Sequence, residues 1–137
     1  MHDLHTTVGA IHVMQLLISA LLAILFLQSG IDKVIDRRGN LEWLKGHFAK
    51  SPLAGLVPLM VTIITIMEMA AGGLSAIGCL MILVRRDSAL AFYGALLAAL
   101  SILALFFGQR MAKDYPGAAT LIPYFLLTLA GIYLLSM

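Results

Sequence analysis

Charge is what this sequence has least of. Charged residues fill 12% of its 137 positions, against about 25% in soluble domains. Nine basic and seven acidic residues leave a net charge of +2. No basic stripe goes with it, so a charge this small implies no nucleic-acid partner. A single cysteine, Cys79, rules out an intrachain disulfide, a paired-cysteine redox centre and a cysteine-based metal cluster within one chain. Cys79 itself reads as a small packing residue. Histidines are as sparse. His2 and His5 precede the first apolar block and His12 begins it, with no second carboxylate or histidine cluster beside them, so no metal site is expected.

Apolar residues are abundant: 61% of the chain, with a mean hydropathy of +1.00. They fall into four blocks, at about 11–31, 56–84, 89–108 and 118–136. Each suffices to cross a hydrocarbon core of about 30 Å as a helix rising about 1.5 Å per residue. Barrel strands would alternate apolar and polar residues over about 10 positions, and these blocks are apolar on every face. The expected fold is all-α: one transmembrane domain over 1–137, an integral membrane four-helix bundle. The first block has no basic n-region and no small-residue cleavage site, so it reads as a span and not as a signal peptide.

The connections are unequal. Arg-Arg-Asp-Ser at 85–88 is a tight turn, which makes the second and third spans antiparallel neighbours. Residues 109–117 form a short polar loop with Pro116-Gly117 as its turn signal. In the long connection, 32–55, Asn40 is placed to cap a short amphipathic helix carrying Leu41, Leu44 and Phe48. Trp43 suits a membrane interface, Ser51-Pro52 would end the helix, and His47 would be solvated. This helix is expected to lie on the bilayer surface. Four spans put both termini on one side. The loops opposite hold seven of the nine Lys and Arg residues, so the positive-inside rule favours termini outside.

Glu68 is the most informative residue. It lies about ten residues into the second span, roughly 15 Å deep by helical rise. A charge near the bilayer centre costs at least about 2.5–3.5 kcal/mol, so Glu68 must be neutral, paired or turned into the bundle. Thr62, Thr65, Glu68, Gly72, Ser75 and Cys79 recur at spacings of three and four, a small and polar stripe that packs against protein. Two readings stand for Glu68: a proton-relay or ligand-anchoring acid, and a buried acid that fixes helix packing. The first span carries a matching stripe of Gln15, Ser19, Ala23, Phe26, Gly30 and Lys33. Lys33 closes that span. The depth counted for Glu68 favours a lysine that snorkels to the interface, and the alternative is one that reaches inward to Glu68 or an anionic ligand. Gly72, Gly73 and Gly78 cost helix propensity, about 1 kcal/mol each against alanine, and with Gly30 they are assigned to close helix packing. In the fourth span, Tyr124 is positioned to hydrogen-bond Glu68 or a quinone carbonyl, or to sit at the interface.

Phe26-x3-Gly30-x2-Lys33 at the end of the first span, Glu68-x3-Gly72-Gly73-x4-Gly78 in the second, and the basic turn after it resemble the DoxX-like family of small four-helix membrane proteins. The resemblance covers most of the chain and implies a compact bundle in which Lys33 and Glu68 take the family's polar positions. It also implies a setting in quinone-linked respiratory, sulfur-oxidising or oxidative-stress assemblies. No cofactor is held by a recognisable motif, and a quinone is the candidate. Two functions follow as expectations. One is a small accessory or stabilising subunit of a larger respiratory or redox complex in a bacterial inner membrane, with other membrane subunits as partners. The other is a quinone- or lipophile-binding redox protein that uses Glu68 to handle a proton.

Overall fold

The computed structural model describes residues 6–137, so His2 and His5 lie outside the described residues. Helix α1 (Thr7–Ile35) is followed by α2 (Arg37–His47), a 3-10 turn at Ala54–Leu56, α3 (Val57–Arg85), α4 (Ala89–Met111) and α5 (Tyr115–Leu135). Four of these helices, all but α2, are long and apolar enough to cross a membrane, and no strand occurs among the described residues. The all-α four-helix bundle expected from the apolar blocks is what forms.

Local chemistry sets the helix ends. Thr6 accepts the Gly9 amide at 3.1 Å and starts α1. Arg86 stops α3 in the left-handed region at φ 53°, after which Asp87 accepts the Ala89 amide at 3.0 Å. Pro116-Gly117 does not make the turn predicted for it. Asp114 caps α5 through the Gly117 amide at 3.0 Å, with proline in the first helical turn. An unpaired amide costs nothing extra there, so proline opens the helix and the loop shrinks to 112–114.

Along α4, packing is inverted relative to a water-soluble bundle. Helix α4 turns Ala91, Gly94, Ala95, Ala98 and Ser101 inward and exposes Leu96, Leu100, Leu103 and Phe107. Large apolar side chains gain nothing by leaving lipid tails, so the interior goes to residues that let backbones approach. Helices α1 and α3 pack together, then α3 and α4, then α4 and α5, and α1 closes the ring against α5 more thinly. Gly78 is where α4 comes closest. A Cβ there would overlap the backbone of Ala91, with Ala91 Cα at 2.5 Å. At Gly72 it would meet the Leu27 amide nitrogen at 2.7 Å, and at Gly30 the Met69 sulfur at 2.6 Å. Gly73, expected on the packing face with them, meets nothing within 4 Å. One residue is a rotation of about 100° around a helix, which carries Gly73 off the seam that holds Gly72.

The long connection departs most from expectation. Helix α1 runs to Ile35 and α2 starts at Arg37, so Asn40 lies inside α2 and does not cap it. Leu41, Leu44 and Phe48 do share one face, but that face packs on Val57, Val61 and Met60 at the start of α3. Trp43 faces outward, 61% exposed. Helix α2 is therefore a cover over the bundle's own end, tied down by Arg37, whose Nη2 donates to Thr62 Oγ1 at 2.7 Å. His47 is not simply solvated. Its ring stacks on Trp43 at 4.7 Å, and Nε2 lies 3.1 Å from Gln109 Oε1 and 3.3 Å from Asp114 Oδ2. These contacts latch α2 to the α4–α5 junction.

Candidate functional site around Lys33 and Glu68

Gly30 and Gly72 build the site by letting α1 and α3 touch along their backbones. Those contacts fix an antiparallel register, Gly30 beside Met69 and Leu27 beside Gly72. In that register Lys33 stands less than one helical turn from Glu68 along the seam. The first turns of α3 reach past the end of α1 and are covered by α2. Counting depth from the start of the span therefore exaggerates the distance, and no kink at Gly72-Gly73 is needed to bring the pair together.

Lys33 turns inward. Its Nζ lies 2.9 Å from Glu68 Oε1 and 3.3 Å from Oε2, and 2.9 Å from Ser29 Oγ one turn back on α1. The ammonium thus spans both carboxylate oxygens, with the shorter approach to Oε1. Glu68 is 1% exposed and the lysine side chain 21%. Among the described residues Glu68 is the only buried charged one. The other buried polar side chains mostly turn to backbone carbonyls: Ser19 to Gln15, Ser101 to Leu97, Thr128 to Phe125 and Gln15 to Leu134.

Three spaces meet at this pair. An apolar cleft of about 190 Å³ is lined by Leu25, Phe26 and Ser29 of α1, Glu68 of α3, Ile102 and Leu105 of α4, and Leu121 and Tyr124 of α5. A cavity of about 90 Å³ lies beneath α2, with Lys33, Leu44, Phe48, Ile64 and Gln109 in its walls. An open polar depression of about 600 Å³ is bounded by Ser29, Asp32, Lys33, Asp36, Asn40 and Trp43. Ser29 belongs to both the depression and the cleft, and Lys33 to both the depression and the α2-covered cavity. The ion pair therefore stands between a polar mouth and an apolar slot. That position allows a proton to be exchanged on one side and an apolar molecule to be received on the other.

The remaining predicted residues are placed as follows. Tyr124 shares the cleft with Glu68 and is 45% exposed, with no hydrogen bond to the carboxylate. Thr65 is half-buried and donates to the Val61 carbonyl of its own helix at 2.6 Å, so it takes no part in the pair. Gly30 and Gly72 flank the pair, whereas Gly78 serves the α3–α4 seam and Gly73 neither. Ser29 was missed as a site residue. Its position four before Lys33 on the same helix was the available signal. The His47–Asp114 contact carried no signal, because its partners are 67 positions apart and in different elements. Comparison with known proteins finds no matching family model, no matching characterised protein and no matching solved structure.

Proposed function

We propose that this multi-pass membrane protein receives the head of a lipophile, a quinone among the candidates, in the cleft at Glu68, and that Glu68 handles a proton there. One observation carries the reading: a fully buried carboxylate, ion-paired with Lys33, lines an apolar cleft that also holds Ser29 and Tyr124. The cleft is of a size that admits a six-membered ring, since an apolar cavity of about 150 Å³ takes up benzene. The polar depression beyond Lys33 and Ser29 supplies a route for the proton. A DoxX-like identity and a bacterial inner-membrane setting go with this reading, on the strength of the Phe26–Lys33 and Glu68–Gly78 motifs.

The second reading, an accessory subunit of a larger redox complex, is favoured by α5. That helix sets only Ala118, Thr128, Gly131 and Leu135 into the bundle. Its span is 22% buried where that of α4 is 39% buried, which leaves most of its surface for lipid or a neighbouring helix. One experiment separates the two. Native membranes are solubilised gently and resolved on a native gel, and the band is analysed by mass spectrometry and by organic extraction. A small particle with stoichiometric quinone or another lipophile is the expected result. Co-migration with large membrane subunits, and no extractable lipophile, would establish the accessory role and retire the binding site. Glu68→Gln keeps the shape and removes the titratable proton. Unchanged quinone-linked turnover in that variant would eliminate proton handling.

A further inference from the structure

We infer that α2 is a proton-sensitive lid: protonation of His47 clamps it onto the α4–α5 junction, and loss of that proton lets it lift from the cavity beneath it. The inference holds whatever the cleft at Glu68 takes up. Alone among the five described α-helices, α2 buries none of its residues, and it is 11 residues long. Isolated helices shorter than about 12–15 residues are marginal in water. Gly39 and Gly46 lower its helix propensity further. A Cβ at Gly46 would meet nothing within 4 Å, so no close approach calls for glycine there. Contacts with the rest of the bundle therefore hold α2 in place. Arg37 ties its first turn to Thr62. Leu41, Leu44 and the buried Phe48 just beyond it rest on the start of α3. His47, in its last turn, meets Gln109 and Asp114. Leu44 and Phe48 also wall the cavity of about 90 Å³ that holds Lys33, so lifting α2 opens that cavity to water.

Of these tethers, the His47 contact is the one that pH can change. Arg37 keeps its charge, and the apolar contacts have none. An imidazole gains or loses its charge between about pH 5 and 8. A neutral ring offers Asp114 a neutral donor at most, and Gln109 accommodates either tautomer because its amide can donate or accept. A protonated ring donates from both nitrogens, and its contact at 3.3 Å with Asp114 Oδ2 becomes an ion pair with a charge-assisted hydrogen bond. Asp114 is held ready for it, since Oδ1 accepts the Gly117 amide at 3.0 Å. Trp43, stacked on the ring at 4.7 Å, presents an aromatic face that favours a cation. Other charges nearby are directed elsewhere: Arg110 lies over the Tyr115 ring at 4.6 Å, and Glu42, Lys45, Lys50 and Lys113 are exposed. The side chains of the pair are 21% and 27% exposed, so the gain is that of a surface ion pair, up to about fivefold in the lid equilibrium. The closed lid gains from the proton and the open lid does not, so acid closes it and alkali opens it.

The test is amide hydrogen exchange of the full-length protein in mild detergent micelles at about pH 5.5 and about pH 7.5, on either side of imidazole titration. Labelling times are scaled to the intrinsic exchange rate at each pH. Once lifted, a helix this short unravels, so its amides report the lid. The expected result is protection over residues 41–47 about three- to fivefold higher at the lower pH, with protection over residues 128–135 of α5 unchanged. In Asp114→Asn, which keeps an N-cap for α5 and removes the charge, the difference should vanish, and likewise in His47→Gln. Equal protection of α2 at the two pH values in the native protein would overturn the inference. A difference that survives in Asp114→Asn would also overturn it, because the sensor would then be another pair. So would a difference shared by the end of α5, which would belong to the whole bundle and not to a lid. The native-protein comparison needs no variant, so it decides even if a variant fails to fold.

Discussion

The α1–α5 seam is closed at one end of the bundle and open at the other. At the closed end Gln15 Nε2 donates to the Leu134 carbonyl at 2.7 Å, and Ser88 Oγ to the Leu135 carbonyl at 2.8 Å. Gly131 faces Ile18, whose Cγ1 lies 3.3 Å from where a Cβ would be. At the open end, Leu25, Phe26 and Ser29 face Leu121 and Tyr124 across the cleft that reaches Glu68. The difference follows from how α5 terminates. The last carbonyls of a helix have no partner within it, and in lipid they must find one elsewhere, so the C-terminal end of α5 is drawn onto α1 and the α3–α4 turn. The N-terminal end is capped by its own Asp114, asks nothing of α1, and stands away from it. The same rule of satisfying every polar group closes one end and leaves room for a ligand at the other.

The contrast is broken most severely by removing the cation at the open end. Lys33→Met leaves Glu68 buried without a counter-charge and is expected to cost about 3 kcal/mol in mixed-micelle unfolding. That is the lower end of the range for a broken buried pair, because the lysine keeps 21% of its side chain exposed. Adding Glu68→Met to it should restore most of the loss. A double variant as unstable as the single would show that the pair is not the source of the effect.

Next in size is Gly72→Ala, expected to cost about 2 kcal/mol as α1 is pushed off α3, since the new methyl meets backbone as well as the flexible Leu27 side chain. Its neighbour tests the geometry with the opposite sign. Gly73→Ala should stabilise by about 0.5–1 kcal/mol through helix propensity alone. Equal effects at the two positions would contradict the seam described here.

At the closed end, Gln15→Leu removes the donor to the Leu134 carbonyl. A loss of about 1–1.5 kcal/mol is expected, together with faster amide exchange over the last turn of α5 and none at Glu68. The smallest effect belongs to Tyr124→Phe, within about 0.5 kcal/mol in stability, because its hydroxyl supports no bond to the carboxylate. A large loss there would mean that the open end is held by contacts as the closed end is.

How far this was legible differs by residue. The inward stripe of α1 was read almost completely: Gln15, Ser19, Ala23, Phe26 and Gly30 are all buried. The stripe of α3 was displaced to one side. Glu68, Gly72 and Ser75 are buried, but Val57, Val61 and Ile64 hold the places assigned to Thr62 and Thr65. Polarity is a poor guide to burial in a membrane helix, because a threonine hydroxyl can satisfy itself on its own helix, as Thr62 does with the Pro58 carbonyl at 2.9 Å. Asn40 and His47 were misplaced for another reason. The fate of α2 depended on whether its apolar face met lipid or α3, and both satisfy the same hydrophobic pattern.

The sequence by itself determined that four helices cross a membrane, which residues share each helical face, and that Glu68 had to find a partner. All three follow from rules local to one helix: the length of an apolar run, the 3.6-residue turn, and the cost of a charge in hydrocarbon. Only the tertiary structure decided that the partner is Lys33, that α2 covers the bundle, and that a cleft stays open beside the carboxylate. Those depend on how far one helix slides along another. Here Gly30 and Gly72 set that offset, through contacts with Met69 and Leu27 that lie 39 and 45 residues away in the chain.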